Sequence, residues 1–345
     1  MTRAGLLALL VMSATATANA SVWQHAIDTG SPDPKRDVYT SEMQSGDELA
    51  EQATTQAASR DAIRTLVQHA VLSYRNAAAA EPTEGEPLYR IGRLLFSFYF
   101  ECEALSQNAS SLCINDPSYF DRTHAQEVLD AWTEFEQRSP LDPRLGVMRE
   151  DQSQLATDFG LLFRRALLHT RMADRKNLEL ATKDYELIVQ RTDQPDETVL
   201  GNLAETYMML DRLDDAIEMY RRALRFALRS ETVFGLAVAL DRDERGSQAR
   251  ELILSQGPQA VTDFEKNVHS GRSFYVPSGE EYYYFALIYE SYGMTEIAIE
   301  DWQKYIASGA HPEFQPRAKA HLEPLLATKQ RKALQLETPW HELIR

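Results

Sequence analysis

Between Glu197 and Ser230 the chain carries a pattern that returns along most of its length, and that recurrence constrains the fold more than any composition figure. Leu200, Leu203, Ala204 and Tyr207 make one apolar stripe at helical spacing. Asp211, Arg212 and Asp214 mark a polar turn, and Ala216, Tyr220 and Ala223 make a second stripe. Ala70, Tyr74, Ala77 and Pro82 reproduce the second half of the pattern; Leu88, Ile91, Gly92 and Leu95 begin the next copy. Val128, Trp132, Phe135 and Pro140 complete that copy late, after an insertion at about residues 100–123. Phe163, Ala166, Leu167 and Thr170 pair with Ala181, Tyr185 and Ile188, and Val233, Leu236, Ala237 and Leu240 pair with Ala249 and Ile253. A second insertion, 257–277, precedes Tyr282, Phe285, Ala286 and Tyr289, which lead into Gly293, Ala298, Trp302 and Ile306. One such unit cannot bury its apolar faces alone, whereas a stack of them shares one continuous core.

This helix–turn–helix pattern resembles the tetratricopeptide repeat, a unit of about 34 residues. The resemblance implies an all-α fold: a right-handed α-solenoid of such repeats over residues 47–312, interrupted by the two insertions. Small residues let two helices approach closely, and the aromatics wedge into the neighbouring unit. Composition agrees, because only 15 Gly and 14 Pro interrupt 345 residues. The reading implied by the family is a non-catalytic scaffold that holds another protein.

Outside the repeats, residues 1–20 read as a secretory signal peptide. Arg3 precedes an apolar run from Gly5 to Met12, and Ala18-Asn19-Ala20 supplies a small-residue cleavage site. The mature chain is therefore expected to be exported, periplasmic or secreted, with cleavage after Ala20. Residues 21–46 show no sustained periodicity and read as an N-terminal arm. Residues 313–345 read as a capping helix, broken or bent at Pro324, and a tail carrying Trp340, Leu343 and Ile344. Cys102 and Cys113 lie in the first insertion; two nearby thiols of an exported chain are expected to pair as a disulfide.

Chemistry is hard to find. The eight histidines do not form the spacing that sets two metal ligands on one helix face. The turn at Asp241, Asp243 and Glu244 lacks the glycine and terminal glutamate of a calcium loop. Asp214, Asp215, Glu280 and Glu281 sit at helix starts, where acids complement the dipole, and His169 reads as a packed or surface side chain. No catalysis, cofactor or metal is expected. Asp and Glu number 52 against 36 Lys and Arg, a net charge of −16, which argues against nucleic acid as a partner.

The family resemblance places binding on the concave face lined by the first helix of each unit. At the matching positions stand Tyr89, Arg93 and Phe96, then Glu205, Met208 and Met209, then Phe234, and finally Tyr283 and Glu290. The Lys, Arg and Asn set with which some members of the family clamp a terminal carboxylate is absent. Aromatic, Met and acidic side chains suit an apolar or basic segment of a partner protein instead. The same positions could also be covered by an arm or insertion of this chain. Two alternatives stand beside the scaffold: an enzyme or small-ligand protein with a pocket near His269, Tyr275 or Tyr282, and a structural subunit of an envelope assembly.

Overall fold

The computed structural model describes residues 33–337 apart from 58, 102–111, 115–118, 146–158, 193–194 and 271–276. Fourteen α-helices and no strand occur among them. Six consecutive pairs make up the array: α1 (Pro34–Thr55) with α2 (Arg60–Ala80), α3 (Glu86–Tyr99) with α4 (Arg122–Arg138), and α5 (Gly160–Met172) with α6 (Arg175–Arg191). They continue as α7 (Glu197–Met209) with α8 (Leu213–Ala223), α9 (Ser230–Arg242) with α10 (Gly246–Leu254), and α12 (Glu281–Ser291) with α13 (Thr295–Ser308). Helix α11 (Pro258–Ser270) belongs to the second insertion, and α14 (Gln315–Glu337) packs on α13. Apart from α11, each helix packs chiefly on its sequence neighbours, which makes the chain an all-α solenoid of helix–turn–helix units.

Side-chain caps start several of these helices. Asp121, Asp174 and Asp196 accept from the backbone N–H of His124 (3.1 Å), Asn177 (3.1 Å) and Thr198 (2.6 Å). The turns inside the units repeat at atomic level. Asp211, Glu244 and Gly293, each four residues after the last position of the first stripe, have φ of 61°, 60° and 75°. The following N–H then bonds back to the carbonyl of that stripe residue: Arg212 to Tyr207 (2.9 Å), Arg245 to Leu240 (2.8 Å) and Met294 to Tyr289 (2.9 Å). Only Gly293 adopts this left-handed conformation without a Cβ penalty.

The second-stripe positions form the spine of the core. Tyr74, Trp132, Tyr185, Tyr220, Ile253 and Trp302 occupy equivalent places and are all buried. Gly92 faces Trp132, and a Cβ there would land on the indole, so the close crossing is a requirement of that ring. Helix α9 is buried on every side from Thr232 to Arg242, because α8 and α10 flank it, α12 follows it, and α11 covers a further face.

Two expectations need correction. Residues 34–46 are not an arm but the first half of α1: Asp33 caps the helix at the Lys35 N–H (3.0 Å), Pro34 presets its first turn, and Gly46 lies against the Tyr74 ring. The boundary at residue 47 therefore falls inside a helix. Helix α14 runs through Pro324 without a break. The signal segment, Cys102, Trp340 and the tail beyond 337 lie outside the described residues.

Candidate functional site

The first helices of the last three units converge on a buried polar cluster at the C-terminal end of the array. Asp241 and Arg242 close α9, Glu280 precedes α12, and Glu290 lies in its last turn. The segment leaving α13 then reaches back over these positions and brings His311, Phe314, Arg317 and His321 onto them.

Four carboxylates organise the cluster. Glu205 on α7 is buried and accepts hydroxyl bonds from Tyr220 (2.6 Å) and Tyr284 (2.9 Å); burial pushes its carboxyl pKa up. Glu280 pairs with Arg242, and both side chains are almost wholly buried. The Arg242 guanidinium also lies 4.5 Å from the Tyr283 ring centroid and 4.3 Å from that of Phe314. Although burial opposes ionisation, Arg242 and His311 hold the Glu280 pKa down at about 2. Asp241, fully buried, accepts from Arg317 (2.7 Å), the Tyr283 hydroxyl (2.7 Å) and His321 (3.1 Å), and these donors outweigh burial and lower its pKa. Glu290 accepts from Trp302 Nε1 (2.9 Å) and His321 Nδ1 (3.0 Å).

Both histidines are cations here by the logic of their partners. His311 Nδ1 faces the Glu280 carboxylate (2.8 Å) and Nε2 faces the Met209 carbonyl (3.2 Å), so each nitrogen must donate. His321 bridges Asp241 and Glu290 and stacks on Trp302 at 4.8 Å with a 14° interplanar angle. Burial alone would lower the His321 pKa, but bonds to Asp241 and Glu290 carry it from 6.5 up to about 9. Arg317 is the other cation of its own helix that faces Asp241.

The raised His321 value sets a pH dependence. Its contribution to stability, about 3 kcal/mol, is fully present below about pH 6.5 and is lost as pH rises through 9. The His311 shift acts in the same direction. The lowered Glu280 and Asp241 values act oppositely, with a contribution kept above the ordinary carboxylate range and lost only as pH falls toward 2. Denaturant midpoints of the parent should therefore fall between pH 6.5 and 9.5, and those of His321→Gln should fall less. Parallel profiles for the two proteins would show that His321 is not held as described.

The nine expected groove residues divide into two groups. Glu205, Tyr283 and Glu290 belong to the cluster, Met209 joins it through its carbonyl, Met208 precedes Met209 in α7 and is buried, and Phe234 lies beside the cluster with its ring 5.0 Å from Phe264 on α11. Tyr89, Arg93 and Phe96 stand apart in the second unit. Tyr89 is half-buried under the Arg144 guanidinium (3.9 Å), Arg93 pairs with Glu101 (3.0 Å), and the Phe96 ring lies 5.8 Å from that of Trp132. An open aromatic and Met surface is not what these residues form. Phe96, Glu205, Met208, Phe234 and Tyr283 are buried, because α11, the 311–314 segment and α14 or the neighbouring helices cover them.

Asp241 was legible as a groove position, since it stands where Phe96, Met208 and Glu290 stand in their own units. Glu280 does more than complement a helix dipole, because it neutralises a buried arginine. His311, Arg317 and His321 carried no repeat signal. Of the alternative pocket, His269 stacks on Phe285 (5.6 Å) and lies 2.7 Å from the Glu265 carbonyl, while Tyr275 falls outside the described residues. Among the described residues no group of acidic, His or Cys side chains is arranged to hold a metal, and no helix is long and apolar enough to cross a membrane. No described cysteine is a free thiol.

Fold and cluster together define an all-α repeat solenoid whose first-helix face is covered at one end by its own chain. No family model matches the sequence, and no curated protein matches it. Among solved structures, it is similar to the crystal structure of MamA protein at 10% identity, covering 70% of this chain and 99% of that one with a TM-score of 0.41. It is also similar to the MamA 41-end structure from Desulfovibrio magneticus RS-1 at 14% identity, covering 66% and 96% with a TM-score of 0.40. The fold assignment rests instead on the helix pairing and the repeated turn bonds of this chain.

Proposed function

We propose that this chain is an exported, non-catalytic scaffold that holds a segment of a partner protein on the face of its first helices. The observation that carries the reading is that this face already works as a docking surface for polypeptide, since α11 and residues 311–321 are seated on it through side-chain contacts. The partner is basic or apolar rather than anionic: a net charge of −16 favours encounter with a cationic surface, and Asp241, Glu280 and Glu290 put carboxylates at the face. Tyr89 and Arg93, half-buried in the second unit, are among the face positions left partly accessible to a partner. Export with cleavage after Ala20 and a Cys102–Cys113 disulfide belong to the same proposal.

The experiment is photo-crosslinking in the cell envelope, with the crosslinker at position 89 or 93 and a control at Glu218, which is exposed on the outer helix α8. A discrete crosslinked protein from the first two positions and none from the control is the expected result. Equal labelling from all three, or none, would sink the scaffold reading. The intact mass of the recovered chain, with and without reductant, tests cleavage after Ala20 and the disulfide together.

A further inference from the structure

The segment between α13 and α14 turns sharply onto the repeat face. Gly309 has a φ of 70° and His311, two residues later, a φ of 37°. A histidine in that region is strained, and it persists only where its surroundings hold it. What holds His311 is its ring, clamped between the Glu280 carboxylate and the Met209 carbonyl. Phe314 then covers Arg242, and Arg317 and His321, four apart and so on one side of α14, both reach Asp241.

The attachment is of an unusual kind for a terminal helix. From 311 to 321 every cation except Lys319 lands on an acid or carbonyl of α7, α9 or α12, whereas the buried apolar side chains are Phe314 and Ala318 alone. Beyond His321 none of the side chains from Leu322 to Arg331 is buried. The hold on Asp241, Glu280 and Glu290 is thus charge-assisted hydrogen bonding, which another cationic helix can reproduce, beside a partly buried apolar contact made by Leu322 and Leu325.

We propose that residues 311–321 are a built-in ligand of the repeat face, detachable about Gly309 to His311, and that a partner's helix with two cations at i and i+4 takes their place on Asp241 and Glu290. This deepens the scaffold reading and rests on it. A ligand held in cis lowers the apparent affinity for any competitor by the fraction of chains in which the face is open. Loosening the cis segment should therefore strengthen binding in trans.

The probe is a fluorescent synthetic peptide of residues 310–331, titrated by anisotropy into the full chain. Arg317→Ala combined with His321→Ala should bind it at least about tenfold more tightly than the parent, which keeps its own segment in place. Adding Asp241→Asn to that variant, where no cation is left orphaned, should return affinity to the parental level. Equal affinity for parent and double variant, or binding that survives Asp241→Asn, overturns the proposal. Hydrogen exchange on the unmodified chain gives a second reading that needs no variant. Amides of α14 should open at lower free energy than those of α9 and α12; opening of all three in one step would overturn the proposal even if the variants fail to fold. Neither measurement uses the envelope partner, so the two failures are distinguishable: failure here leaves the crosslinking result standing.

Discussion

Glu280→Ala should destabilise the C-terminal units by about 3–5 kcal/mol, because it leaves the Arg242 guanidinium charged and unpaired inside the protein. Arginine cannot shed its proton to escape, and burial of an uncompensated cation is among the costliest single changes a fold can suffer. The same substitution removes the acceptor of His311 Nδ1, so the strained turn before α14 loses its anchor as well. In a linear array each unit is stabilised mainly by its neighbours, so the loss should be local. Hydrogen exchange should show α9 to α14 opening while α1 to α6 keep their protection. Combining Glu280→Ala with Arg242→Met should recover much of the stability, since an apolar side chain of similar length can take the place beside Tyr283 and Phe314. A single variant as stable as the parent, or a double variant worse than the single, would contradict a buried charge pair at this position.

The repeat was visible in the sequence because its signal is redundant. Ala70 and Tyr74, Ala181 and Tyr185, Ala216 and Tyr220, and Ala298 and Trp302 carry the same small–aromatic spacing, and all eight side chains are buried. The turns at Asp211 and Glu244 were marked by polar residues, but the left-handed conformation they share with Gly293 was not, since residue type suggests it only for the glycine. The first half of α1 reads as an arm because the helix's buried side consists largely of small and half-buried residues, Gly46, Ala50 and Ala53 with Met43, and gives a weak apolar stripe. The face positions were assigned from register alone. Their exposure did not follow from register, because it depends on where α11 and residues 311–321 fall, and those contacts join residues far apart in the chain, such as His321 and Asp241. Pairing between a scattered histidine and a distant aspartate leaves no local periodicity to read.

That difference between position and exposure decides what the two face aromatics do. Phe234→Ala removes a ring with no solvent exposure, packed 5.0 Å from Phe264, and should cost about 3–5 kcal/mol through lost burial and the cavity left behind. A residue serving as an exposed binding anchor would lose partner capture on truncation and keep its melting temperature; Phe234→Ala should lose stability first. Tyr283 allows a finer test, because its ring and its hydroxyl do separate jobs. The ring packs edge-on against Trp302 at 4.8 Å and Tyr305 at 5.0 Å, while the hydroxyl donates to Asp241 at 2.7 Å. Tyr283→Ala should cost as much as Phe234→Ala. Tyr283→Phe should cost only about 1 kcal/mol, since Arg317 and His321 still satisfy Asp241. Glu218→Ala and Arg221→Ala, both exposed on α8, should change the denaturant midpoint hardly at all. If Phe234→Ala and Tyr283→Ala both melt like the parent, the face is open at those rings, the covering segments are elsewhere, and these aromatics become candidates for direct contact with the partner.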